Sequence, residues 1–144
     1  MALPIEQFPT RKVETGFWRQ LLNREKNALL DIKKAGIFPI VHGARVLALE
    51  AGIDVPNTFD RLEALTSRTI LEKSFADDVA ESLAFLMRLR LDAGLEMLRR
   101  GSPLSNEVDT ATLSTLEKDL LQDALEVERR FKRMVGQRYG LDRF

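Results

Sequence analysis

The residues best suited to chemistry in this chain are cations. Arg90 falls within a helical stripe of Val79, Leu83, Leu86, Arg90 and Met97, where an apolar side chain is expected and a charge needs a partner. His42, the single histidine, shares a secondary face of an earlier, strongly apolar helix with Arg45, and Lys33 lies just before that helix. Guanidinium groups hold phosphate or carboxylate through paired donors. Lys33, His42, Arg45 and Arg90 are therefore the expected anion- or substrate-binding set, lining a pocket between the central helix and the long third helix. The competing reading is structural: Arg90 snorkels or is held by an acidic neighbour, with no ligand involved.

Catalytic residues and metal ligands are not expected. The chain has no cysteine, which excludes disulfides, cysteine-zinc sites and thiol nucleophiles, and its one histidine argues against a histidine-rich metal centre. Asp77 and Asp78 are adjacent, so on a helix their carboxylates diverge by about 100° and cannot share a metal. No glycine-rich phosphate loop ending in Gly-Lys-Ser/Thr and no Gly-x-Ser-x-Gly elbow is present. The 22 basic and 22 acidic residues cancel, which leaves no global field for nucleic acid or an anionic membrane. Lack of cysteine, of a signal-like start and of a long apolar run points to a cytoplasmic chain that does not enter membranes.

The elements that must position these cations are helical. Residues 1–14 carry Pro4 and Pro9 and read as a lead-in or linker, and 15–144 reads as one helical domain. A first helix is expected from Thr15 to about Leu30, with Phe17, Trp18, Leu21 and Leu22 on one face; packing in the core is the plain reading, and covering a domain interface the alternative. The central helix should open near Ile37, after Gly36 as a breaker and with Pro39 in the first turn, and end at Gly52. Its main face is Ile37, Ile40, Val41, Ala44, Leu47, Ala48 and Ala51, and Phe38, His42, Arg45 and Leu49 form the second. Asn57 or Thr58 should cap a short helix that buries Phe59, Leu62 and Leu65, with Arg61 solvated. Ser74 and Asp77 resemble a capping box for a helix to about Arg100, followed by a loop through about Thr112. Ser114 and Glu117 form a full box for a last helix with a stripe of Leu116, Leu120, Ala124, Val127, Phe131 and Met134. Glu126, Glu128, Arg129, Arg130, Lys132 and Arg133 are expected on its solvated side. No strand-like run is long enough for a sheet, so the expected fold is an all-α, four- to five-helix up-and-down bundle.

Four segments in order carry a resemblance: DIKKAGIFPIVHGARVLAL from Asp31, NTFDRL from Asn57, FLMRLRL from Phe85 and LSTLEKDLLQDAL from Leu113. Over about residues 15–140 the chain resembles the C-terminal substrate-binding domain of a bacterial nucleotidyltransferase-like family that often carries cyclic-nucleotide-binding and CBS modules. The Asp31-Ile32-Lys33 lead-in to Gly36 is also similar to protein-PII uridylyltransferases and glutamine-synthetase adenylyltransferases. Gly94 departs from the glutamine that relatives often have there. The resemblance implies an accessory domain, not an enzyme on its own, that binds or positions an acceptor, protein or small molecule, for a catalytic domain in the same or another chain. It implies no cofactor in this chain: Mg²⁺ and nucleoside triphosphate belong to the catalytic domain, whose Asp-x-Asp after a Gly-Ser loop has no counterpart here, since Gly101-Ser102 runs into Pro103. A homodimer is compatible with this reading. A place in signal transduction is expected, and the alternative is a stand-alone helical protein-protein interaction module without ligand.

Overall fold

The computed structural model describes residues 29–140, which fold around four α-helices: α1 (Phe38–Glu50), α2 (Thr58–Ser67), α3 (Lys73–Arg100) and α4 (Thr115–Arg138). The architecture of this part is all-α, as expected. The lead-in, Phe17, Trp18 and most of the first expected helix lie outside the described residues. The end of that helix is corrected, because Leu30 belongs to a strand, β1 (Leu29–Asp31), paired antiparallel with β2 (Glu107–Asp109), with Leu30 opposite Val108. The next residue extends the link, Ile32 donating its N–H to the Asn106 carbonyl at 3.1 Å. The strand β2 and a 3₁₀ turn over Thr110–Thr112 occupy what reads in sequence as a loop. Three-residue strands offer no periodicity from which to infer them.

The central helix opens earlier than Gly36 suggests. Ile32 is already helical, and Lys33–Ile37 winds as a π-turn that the Phe38 N–H closes on the Lys33 carbonyl. Gly36 is buried inside this turn, and a methyl group on it would lie 2.5 Å from Leu86 Cδ1 and 3.2 Å from Leu125 Cδ2. Close approach of α3 and α4 thus requires glycine here, and packing outweighs its weak helix propensity. At the other end Gly52 sits at φ +70° as expected. It completes a Schellman turn in which Ile53 N–H reaches the Ala48 carbonyl at 2.8 Å and Gly52 N–H the Leu49 carbonyl at 3.1 Å.

Asn57 caps α2 by accepting from the N–H groups of Phe59 (2.8 Å) and Asp60 (3.3 Å). Leu62 and Leu65 enter the core, Phe59 stays exposed, and half-buried Arg61 donates Nε to the Val55 carbonyl at 2.7 Å, which ties α2 to the preceding turn. The expected box at the start of α3 does not form. The cap falls two residues earlier, at Glu72; Ser74 Oγ donates to Glu72 at 2.9 Å, and Asp77 pairs with Lys73 at 2.7 Å. By contrast, the Ser114–Glu117 box of α4 closes in both directions at 3.1 Å.

The core gathers Ile40, Ala44, Leu47, Leu62, Leu65, Val79, Leu83, Leu86, Leu121 and Phe131 between the helices. Two stripes are rotated from expectation. On α3 the buried series after Leu86 continues through Leu89, at i+3, which turns Arg90 to solvent. On α4 the buried residues are Leu121, Ala124, Leu125, Glu128, Phe131 and Val135, while Leu116 and Leu120 are exposed, Leu120 beside the fully buried Leu121. Two glycines explain the α4 setting, since Gly36 receives Leu125 and Gly43 receives Phe131. Among the described residues no helix is long and apolar enough to cross a membrane.

Candidate functional site

His42 and Arg90, expected to share one pocket, line two different ones. Arg90 lines a cleft along the C-terminal half of α3 with Met87, Leu91, Gly94, Leu95, Leu98 and the Leu104–Asn106 loop. It is exposed, so its guanidinium is no breach of the core; that part of α3 extends beyond the packed stripe. The Gly94 position carries open space, not a contact. Arg45 is also exposed and lines neither the Arg90 cleft nor the pocket that holds His42. The expected joint pocket of Lys33, His42, Arg45 and Arg90 between the central and third helices is therefore corrected to separate locations.

His42 lies instead in a groove of about 740 Å³ between α1 and α4. Its cations are Lys34 from the π-turn and Arg129, Lys132 and Arg133 from α4, and its apolar lining is Phe38, Pro39, Val46 and Val135, with Gly43 and Gly136. Among the described lining residues none is acidic. The local geometry follows from helical spacing: Phe38, His42 and Val46 recur every fourth residue on α1, and Arg129, Lys132, Arg133 and Gly136 follow on one side of α4. Phe38 organises the α1 edge. Its ring stacks on His42 with centroids 5.0 Å apart and planes 17° apart, and the Lys33 ammonium lies 4.8 Å from the same ring. Lys33 thus lies next to the groove, against the Phe38 ring.

Beneath this edge of α4 lies Glu128, which the solvated-face reading of the sequence missed. Only 4% of it is exposed, in the middle of the buried stripe, between the turns that meet Gly36 and Gly43. Burial raises its carboxyl pKa to about 7, against the opposing pull of Lys132 and Arg129, both of which line the groove. A sequence signal existed: Glu128 is four residues after Ala124 and three before Phe131, two positions on the apolar stripe that the periodicity marks as core.

Chemically, the groove can bind a negatively charged partner that also has an apolar side, holding it by charge at the edge and by contact on the floor. Among the described residues no group of histidine, cysteine, aspartate or glutamate is gathered to hold a metal ion. No curated protein and no solved structure matches the chain. A family model does match, over residues 2–139, and covers the described fold, the groove and the four sequence segments together. The chain belongs to the family described as "Putative nucleotidyltransferase substrate binding domain".

Proposed function

We propose that this chain holds the acceptor of a nucleotidyltransferase while a catalytic domain, in the same or another chain, transfers the nucleotide. The observation that carries the reading is the groove between α1 and α4, where Lys34, His42, Arg129, Lys132 and Arg133 surround an apolar floor. In this reading Lys33 and His42 set the Phe38 ring. Arg45, on the exposed side of α1, would meet the acceptor or the catalytic domain outside the groove, and Arg90 would do so from the α3 cleft. Mg²⁺ and the nucleoside triphosphate are contributed by the catalytic domain, and this chain contributes position and charge. The likeness of the Asp31–Gly36 lead-in to protein-PII uridylyltransferases and glutamine-synthetase adenylyltransferases supports a role in regulatory modification, with cyclic-nucleotide-binding or CBS modules elsewhere in the assembly.

One observation favours a second reading, a helical interaction module: Leu91, Leu95, Leu98 and Leu104 leave an apolar stripe exposed on and beside α3. Labelling separates the two classes from catalysis. Incubated alone with labelled nucleoside triphosphates, Mg²⁺ or Mn²⁺ and candidate acceptors, the chain should give no labelled product above background. Labelling that disappears when the chain's own acidic residues are replaced would overturn the accessory role.

A further inference from the structure

The groove's charges are arranged along an edge, not around a point. Lys34 and Lys132 are exposed, and Arg129, Lys132 and Arg133 occupy about 6 Å of the α4 axis. A small oxyanion would use few of these donors and would leave the floor uncovered. That floor includes Phe38 and Val46, each 41% exposed, and such apolar area is stabilised by a partner with a matching apolar side. A single-stranded nucleic acid would need aromatic faces for base stacking. The aromatic rings in the described lining are Phe38 and His42, which stack on each other, and the Lys33 ammonium lies over the Phe38 ring as well.

From these features we infer that the groove takes an acidic amphipathic helix of a partner protein, its apolar side on Phe38, Pro39, Val46 and Val135 and its carboxylates against the two exposed cations, Lys34 and Lys132. Charge complementarity selects the occupant, since among the described residues the lining carries only cationic and uncharged groups. Length agrees with it. From Lys34 to Val46 the helical axis runs roughly 18 Å, enough to seat about three turns of a guest helix that contacts at i, i+3, i+4 and i+7. The inference rests on the groove being the acceptor site and adds that the acceptor, or the protein that carries it, is recognised through such a helix.

The test uses the full chain and a fluorescein-labelled peptide of about 18 residues, with leucine at i, i+3, i+4 and i+7 and glutamate elsewhere. Fluorescence anisotropy should show saturable binding, weakened at least roughly tenfold by Lys132→Glu and by Gly136→Leu, and unchanged by Arg99→Glu at the far end of α3. Gly136→Leu blocks the groove without disturbing the core, because an added Cβ there meets no described atom within 4 Å. Amide resonances of Val46 and Val135 should shift on titration. Absence of saturable binding, affinity unchanged in both groove variants, or tighter groove binding by oligo-dT or inorganic phosphate would overturn the proposal. So would occupation by the chain's own leading residues: the chain has no cysteine, so a spin label on Trp18→Cys would report it by broadening Val46 and Val135 without peptide. Failure here leaves the accessory role standing, which label transfer by the isolated chain would overturn separately.

Discussion

Glu128 is the residue at which charge and packing conflict most directly. Its pKa of about 7 in the fold lies above the ordinary carboxylate value of 4.5, so between those pH values the folded state binds more protons than the unfolded one. Stability should therefore fall as pH rises from about 4.5 through about 7 and level off above, at a cost of up to about 3 kcal/mol. Glu128→Gln keeps the shape and removes the ionisation. It should match the wild type near pH 4.5 and exceed it by about 2–3 kcal/mol at pH 8, measured by urea unfolding at both pH values. A variant with the same pH slope as the wild type would show that Glu128 ionises without cost. At this scale the sequence was a partial guide. His42 in the groove and Lys33 beside it each contact the Phe38 ring, whereas Arg90 lies a single helical step off the core stripe, at i+4 where the core follows i+3 through Leu89. Periodicity fixes a face only to within about 50°, and a long arginine looks much the same in sequence on either side of that boundary.

Helix ends were the most legible elements, because their signals are local. Asn57, Gly52 and the Ser114–Glu117 box all act as caps, each through backbone groups a few residues away. Ser114→Ala should cost about 1 kcal/mol, read as a lower denaturant midpoint with an unchanged slope. Features set by distant partners were not legible. The π-turn at Lys33–Ile37 depends on α3 and α4 closing over Gly36, and β1 exists because Glu107–Asp109 returns beside it. Gly43 shows the same dependence: an added methyl would lie 2.6 Å from Cε2 of the fully buried Phe131 ring. Alanine normally favours a helix over glycine by about 1 kcal/mol, yet overpacking costs about 1–3 kcal/mol, so Gly43→Ala should lower the melting temperature. An unchanged or higher melting temperature would mean that α1 and α4 can separate at little cost.

For the whole molecule, helical class and the family both follow from patterns spread along the chain, whereas the groove does not. It joins Lys34 to Lys132, residues nearly the full described length apart, and which side of α4 faces α1 is decided by Leu125 and Phe131 entering the spaces above Gly36 and Gly43. With 22 positive and 22 negative residues, total charge predicts no anionic partner, and only the fold gathers the cations on one groove. We propose that this groove holds the acceptor and not the nucleotide. The direct measurement is steady-state nucleotidyl transfer by the complete enzyme that carries this domain, with acceptor and triphosphate varied separately, for the wild type and Lys132→Glu. In Lys132→Glu the acceptor KM should rise by roughly tenfold or more while kcat and the triphosphate KM stay unchanged, the pattern of lost acceptor binding. A raised triphosphate KM, or no change in any of the three, would contradict it.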